Sequence, residues 1–204
     1  MKRIAALALL ILAAVPARAR PEVTIRTQHR QYTGHTRWSP KRNVYVLISR
    51  GRDYHILASQ VVSLSVARPD DLDRAIELMS EQAYEEAIPL LETIARRYTM
   101  LEWDLEAYRL LVRCHQQMNA PEKLTDVYRR ASTSTRTGAD ADLTMAYLQA
   151  LLDCGEVERT QTEADALLSE ADRARFEIML ERQRSPAEES LSPEPPPGAP
   201  PSEQ

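Results

Sequence analysis

The stretch Q-A-Y-E-E-A-I-P-L-L-E-T-I-A (residues 82–95) carries the pattern that decides the fold of most of the chain. It lies within residues 69–182, where apolar residues recur with the 3.6-residue period of an α-helix and glycine is nearly absent. Similar segments return twice, so that Ala87 aligns with Leu124 and Thr160 at spacings of 37 and 36 residues. A repeat of this length predicts a stack of helical hairpins.

Residues 82–95 resemble the turn and second helix of a tetratricopeptide repeat. In that family pattern Ala87 is the small residue at which two helices touch, and Leu91 and Ile94 face the core. The later units place their turns at 119–121 and 154–156. The resemblance implies three such hairpins over 69–182. The polar segment 132–140, which contains Gly138, predicts a loop between units. The amphipathic pattern at 172–182, with Ala174, Phe176, Ile178 and Met179 as its apolar residues, predicts a last helix that covers the open end.

The resemblance also implies a groove lined by the first helices of successive units. The positions that would project into it are Glu106, Arg109, Arg113, Gln116 and Gln117 in the second unit and Asp142, Met145, Gln149 and Asp153 in the third. Mixed charge with amide donors suits a groove that holds an extended peptide. The same residue types also occur on solvated helix faces with intrahelical pairs, and the sequence leaves both interpretations open.

Residues 20–68 show the two-residue period of β-strands instead. The strand-like runs are 23–27, 44–48, 54–57 and 61–66, and turn residues occur at Thr33-Gly34, 39–43 and 50–53. With the segment Y-T-G-H-T-R-W at 32–38, which follows the first run, this makes five strands in so few residues, and they can each bury one face by curling into a small barrel. The order of pieces resembles the Sm-like small β-barrels at the start of some exported bacterial helical-repeat proteins. We therefore expect an α+β chain, with a small antiparallel β-barrel before the tetratricopeptide-like array.

The two parts differ in charge. Residues 20–68 carry nine Lys and Arg against two acidic residues, whereas 69–204 carry 14 against 28. A basic surface is expected on the β module, at Arg26, Arg37, Lys41, Arg42, Arg50 and Arg52. It could contact an anionic envelope polymer, a membrane surface or the chain's own acidic helices, or simply repel edge-to-edge pairing of strands. Nucleic-acid binding is disfavoured by the export signal described next.

Residues 1–19, M-K-R-I-A-A-L-A-L-L-I-L-A-A-V-P-A-R-A, have the three zones of a secretory signal peptide. Lys2 and Arg3 precede an apolar run at 4–15, and A-R-A predicts cleavage after Ala19. A twelve-residue helix of about 18 Å is short for a bilayer core of about 30 Å, although an uncleaved anchor is the alternative. The mature chain is expected in the bacterial periplasm or outside the cell. Residues 183–204, rich in proline and glutamate, predict a disordered tail.

The sequence offers little support for catalysis or for a bound cofactor. The chain has 204 residues with five Gly and two Cys, and it lacks nucleotide-binding glycine motifs and G-x-S-x-G, S-x-x-K and H-E-x-x-H. Cys114 and Cys154 are expected as partly buried free thiols, with a disulfide between them as the alternative. Their spacing does not predict a metal site.

We therefore expect an exported, non-catalytic scaffold or adaptor without cofactor or metal. It would bind a protein or peptide partner in the helical groove. The alternative is a structural envelope component whose basic β module binds an anionic polymer or a membrane surface.

Overall fold

The computed structural model describes residues 20–134 and 140–184. The chain is α+β and divides between Ala67 and Arg68 into a unit built on a five-stranded sheet and a helical unit. The fold class is thus confirmed at this level. The predicted signal segment, residues 135–139 of the predicted inter-unit loop, and the predicted tail from residue 185 lie outside the described residues.

The sheet has the order β4-β3-β2-β1-β5, and all neighbouring strands are antiparallel. The strands are β1 (Glu22–Thr27), β2 (Gln31–Ser39), β3 (Val44–Ser49), β4 (Arg52–Leu57) and β5 (Val61–Val66). Val23 and Ile25 on β1 and Tyr45 and Leu47 on β3 are almost fully buried. The five predicted strands are therefore present, and the continuous apolar run becomes an inner strand.

The sheet is curled but not closed. If it were flat, β4 and β5 would lie about 19 Å apart, since neighbouring strands are about 4.8 Å apart. Only one 3-10 turn, Ala58–Gln60, joins the two strands, and a link of that length spans at most about 14 Å. The sheet must therefore bend, yet β4 and β5 do not pair with each other in the described sheet. Closure into the predicted barrel is not confirmed.

Gly34 lies inside β2 rather than in a turn, so the turn predicted at Thr33-Gly34 is wrong. A Cβ atom at this position would come within 2.3 Å of the Ile48 carbonyl oxygen on β3. Glycine is needed because the backbone of β3 approaches β2 too closely for a side chain. β1 pairs with the first half of β2, and β3 pairs with its second half. The close approach at Gly34 therefore lies where these two pairings meet.

Seven α-helices follow in the described residues. They are α1 (Asp70–Ser80), α2 (Tyr84–Arg97), α3 (Trp103–Gln117), α4 (Pro121–Ser134), α5 (Ala141–Asp153), α6 (Val157–Leu167) and α7 (Glu170–Arg184). Three boundaries differ from the predictions: α4 extends into the predicted loop as far as Ser134, and α7 begins two residues before 172 and continues two residues past 182.

The first three hairpins share one turn geometry. Gln82, Asn119 and Gly155 all have positive φ, at 62°, 51° and 84°, and are spaced by 37 and 36 residues. In each turn, the residue after the one with positive φ donates its N–H to the carbonyl oxygen of the residue five positions earlier. Ala83, for example, donates to the Leu78 carbonyl at 2.9 Å. This is the Schellman ending of a helix. The described helices thus contain a three-fold structural repeat.

Each hairpin packs against the next along the chain. α2 packs against both α1 and α3, while α5 contacts α3, α4 and α6. Ala87, Leu124 and Thr160, the positions aligned across the repeats, are each 0% exposed. α7 packs against α5, and its Phe176 is buried, whereas Ile178, predicted among the apolar residues of the same helix, is 53% exposed. The described helices therefore stack in sequence order rather than around a common centre.

Candidate functional site

Two clefts meet along α3. The α1–α3 cleft has a volume of about 470 Å³, and the α3–α5 cleft has about 460 Å³. Both are lined by Leu110, Arg113 and Gln116, so they adjoin each other along α3. We call the two adjoining clefts together the groove. It is formed mainly by the first helices of the three hairpins.

Helical periodicity explains why α3 supplies so much of the groove. Glu106, Arg109, Arg113 and Gln116 follow each other at intervals of three or four residues, and they therefore share one face of the helix. The opposite face carries buried residues such as Leu111, which is 0% exposed and packs in the helical core. Burial of that apolar face fixes the rotation of α3 and directs its polar face into the groove.

Arg109 is fixed in place by acidic neighbours. Its Nη2 donates to Asp140 Oδ2 at 2.9 Å, and its Nη1 lies 3.5 Å from Glu106 Oε2. Asp140 also accepts from the Leu143 N–H at 2.7 Å through its other oxygen, which caps the start of α5. The charge of Arg109 is therefore largely compensated within the protein.

The amide side chains of the groove converge on one carboxylate. Gln149 Nε2 donates to Asp153 Oδ1 at 2.7 Å, and Gln116 Nε2 donates to the second oxygen of the same carboxylate. This bridge links α3 to α5 across the groove. It also leaves the amide oxygens of both Gln side chains as acceptors for another group.

Arg113 is the uncompensated cation of the groove. Its side chain is exposed, it lines both clefts, and it forms no ion pair with any residue that the structure describes. Asp142 lines the α3–α5 cleft but its carboxylate approaches Arg109, at 3.9 Å, rather than Arg113. A negatively charged group entering the groove would therefore meet Arg113.

The α1–α3 cleft has an apolar wall at first-unit positions that correspond to the polar groove positions of the later units. Ile76 and Met79 of α1 and Leu110 of α3 line it, together with Tyr84 at the start of α2. Ile76 is 38% exposed, so this apolar surface is open to solvent. Its signal in the sequence was the apolar character of Ile76 and Met79, at first-unit positions where the later units are polar.

Most of the predicted groove residues are brought together. Those that line the groove are Glu106, Arg109, Arg113, Gln116, Gln117, Asp142 and Gln149. Met145 and Asp153 are not among the lining residues. Met145 is half-buried and its neighbour Ala146 lines the α3–α5 cleft, while Asp153 contributes through the two amide hydrogen bonds.

The predicted basic residues of the β module are all exposed: Arg26, Arg37, Lys41, Arg42, Arg50 and Arg52. They do not form one patch. Lys41 and Arg42 lie in the turn before β3, whereas Arg50 and Arg52 lie beyond its other end, in the hairpin to β4. Six residues of strand, about 16–20 Å, separate these pairs.

The β module has a cleft of about 480 Å³ that the sequence did not indicate. His29, Arg30 and His55 line it together with Tyr32, and none of its described lining residues is acidic. The ring of Tyr32 packs 5.4 Å from that of Tyr54, centroid to centroid. The cleft depends on the curl of the sheet, because its residues come from the β1–β2 turn, β4 and the 3-10 turn.

Buried titratable groups lie outside the groove. Burial raises the pKa of Asp104 to about 6, although hydrogen bonds from the backbone N–H groups of Met100 and Leu105 lower it. Cys114 and Cys154 are both free thiols, and burial raises the pKa of Cys114 to about 11 and also raises that of Cys154. Both thiols are therefore protonated at neutral pH and poorly nucleophilic.

Two general properties concern the described residues only. They contain no group of three or more His, Cys, Asp or Glu side chains placed to hold a metal ion. Among their helices, none combines the length and the apolar character needed to cross a bilayer.

Comparisons of the chain with protein-family models, with curated proteins and with solved structures give no match.

Proposed function

We propose that this chain is an exported, non-catalytic adaptor of the tetratricopeptide-like type, which holds an extended segment of a partner protein in the groove. The observation that carries the proposal is that the two clefts adjoin along α3, with Arg113 uncompensated in the wall that they share. An extended segment is favoured over a compact ligand because the lining residues come from three successive first helices.

The groove also indicates the character of the segment. The apolar wall of Ile76, Met79 and Leu110 fits an apolar side chain, and Arg113 beside it fits a carboxylate. Gln116, Gln117 and Gln149 have amide groups that can bond to the backbone of a peptide. We therefore expect a segment that has an acidic residue close to an apolar one.

The test uses the chain from Arg20 to Gln204, which contains every described residue. A random peptide library displayed on phage is panned on it, and the enriched peptides are synthesised. Their affinities are measured for the wild type, for Arg113→Ala and for the control Arg175→Ala, which removes an exposed arginine from α7. A third variant, Ala146→Trp, fills the α3–α5 cleft from an exposed position.

We expect peptides that combine acidic and apolar residues. Arg113→Ala is expected to weaken their binding about tenfold, because it removes a charge-assisted hydrogen bond. Ala146→Trp is expected to weaken binding as well, and Arg175→Ala to leave it unchanged. Higher salt is expected to reduce the difference between wild type and Arg113→Ala. Equal binding to all variants, or no enrichment, would contradict the proposal.

One observation supports a second candidate function, in which the β module binds an anionic envelope polymer or membrane surface. All six predicted basic side chains are exposed, and the β-module cleft adds Arg30 without a nearby acid. Salt-sensitive cosedimentation with vesicles of anionic lipid, abolished by Lys41→Glu with Arg42→Glu but not by Arg113→Ala, would favour it. The dispersal of these residues around β3 makes it the weaker candidate.

A further inference from the structure

A second cavity lies between α2 and α4, on a different surface from the groove. We call it the α2–α4 cavity; its volume is about 500 Å³. Its walls are formed by Ile88, Glu92, His115, Lys123, Asp126, Arg129 and Arg130. All but His115 come from the second helices of the first two hairpins, whereas the groove is lined mainly by first helices.

The charges around the α2–α4 cavity are paired except for one. Arg130 contacts Glu92 across the cavity at 3.3 Å, and Arg129 contacts Asp126 at 2.6 Å on the same helix. Lys123 forms no ion pair with any described residue. The cavity therefore has one uncompensated positive charge, within a part of the chain that is acidic as a whole.

His115 is the second observation. Its side chain lines the cavity, is only 8% exposed, and has a buried Nδ1 with no hydrogen-bond partner in the structure. A buried polar atom without a partner is destabilising and is uncommon in native proteins. His115 therefore places a polar ring, rather than an apolar side chain, in the wall of the cavity.

We propose that the α2–α4 cavity binds a carboxylate group, which accepts hydrogen bonds from the Lys123 ammonium and the His115 imidazole. Two single donors match the two oxygens of a carboxylate. Arg129 and Arg130 are already engaged with acids, so no guanidinium fork remains for a phosphate. Glu92 and Asp126 in the same wall also repel a dianion more strongly than a monoanion.

A bound carboxylate would change the protonation of His115. In the unliganded protein the pKa of His115 is lowered, first by burial and then by Lys123 and Arg130, while Glu92 opposes this. Asp126 and Arg129, the remaining charged groups of the cavity, are paired with each other. A carboxylate at the imidazole favours the imidazolium, so binding takes up a proton. Affinity is therefore expected to increase as pH falls below neutral, until the ligand itself is protonated.

The carboxylate that binds in the α2–α4 cavity could belong to a free small molecule or to another polypeptide. Both are tested on the chain from Arg20 to Gln204, with the ring signals of His115 followed by NMR. The probes are sodium acetate, N-acetyl-tetraalanine with a free carboxyl terminus, its carboxyl-terminal amide, and sodium phosphate. The variants are Lys123→Met, His115→Gln and the control Arg175→Met, each checked for its thermal midpoint.

We expect a saturable shift of the His115 signals with at least one carboxylate probe and none with the peptide amide. Lys123→Met is expected to weaken that binding about tenfold, and Arg175→Met to leave it unchanged. For His115→Gln, followed by calorimetry, we expect weaker binding without the increase at lower pH. Tighter binding of the peptide acid than of acetate would identify a polypeptide carboxylate, and equal binding a small carboxylate.

Three results would overturn the inference: no saturable shift with either carboxylate, tighter binding of phosphate than of both, or full binding by a folded Lys123→Met variant. These outcomes are independent of the groove, since none of the residues that are changed lines it.

Discussion

Asp104 illustrates at the scale of one residue how a buried charge supports an irregular connection. It is 1% exposed, and its two oxygens accept from the Met100 N–H at 2.6 Å and the Leu105 N–H at 3.0 Å. The connection it supports, between α2 and α3, has positive φ at Met100 and Glu102. Asp104 therefore holds backbone that most residues adopt only at a cost.

This burial predicts a pH dependence of stability. The pKa of Asp104 is raised to about 6, so the folded protein binds a proton in a range where the unfolded chain, with an aspartate pKa of about 3.9, does not. The free energy of unfolding is then expected to rise as pH falls from about 6 to about 4, by about 3 kcal/mol from this group.

Urea unfolding of wild type and Asp104→Asn across this range checks the prediction. The asparagine variant cannot take up the proton, so the stability difference between the two proteins is expected to change with pH. A constant difference from pH 4 to pH 7 would contradict the assignment, whatever the absolute stability of the variant.

At the scale of the element, the Schellman turns provide the clearest prediction. Gln82 holds φ 62° without being glycine, whereas Gly155 holds φ 84° at the equivalent position. The left-handed conformation is about 1–2 kcal/mol less favourable for a residue that has a Cβ atom. Glycine lacks this penalty, but it loses more conformational entropy on folding, so a substitution by glycine gains only part of the difference. Gln82→Gly is expected to raise the free energy of unfolding by about 0.5–1 kcal/mol, measured by urea denaturation.

Gly155→Ala is the matched control. No atom lies within 4 Å of the Cβ that it would add, so its effect reports the backbone alone. It is expected to lower stability by about 1 kcal/mol. If both substitutions changed stability in the same direction, the common turn geometry would not explain the repeat.

The boundaries of elements were predictable where local signals specify them. The turns at 119–121 and 154–156 contain Pro121 and Gly155, which act through their own backbone preferences. The interpretation of Gly34 as a turn residue was wrong, because glycine is required there by the close approach of the Ile48 backbone on a neighbouring strand. A glycine in sequence does not reveal whether it serves a turn or a close contact between strands.

The candidate site was predictable to a similar extent. The polar face of α3 follows from helical periodicity, so Arg113 and Gln116 were placed in the groove. On α5 the prediction chose Met145, while Ala146 lines the cleft. One residue corresponds to a 100° rotation about the helix, which is set by how α5 packs on its neighbours and not by its own sequence. The α2–α4 cavity joins three helices and had no sequence signal.

At the scale of the helical unit, stability is expected to decrease toward its end. Phe176 is buried on α7, the helix that packs against α5, so Phe176→Ala is expected to speed amide hydrogen exchange in α7 and leave α1 to α4 unchanged. Ile178→Ala, at a position 53% exposed, is expected to change neither. Equal acceleration throughout the helices in Phe176→Ala would show that they unfold as one cooperative body.

The packing of each hairpin on the next has a mechanical consequence. A chain of this kind frays from a free end, because loosening one hairpin removes few supports from those further away. A peptide lying across α1, α3 and α5 would contact all three hairpins at once and so couple the unfolding of each to that of the others. Occupancy of the groove would then convert stepwise melting into a single concerted transition.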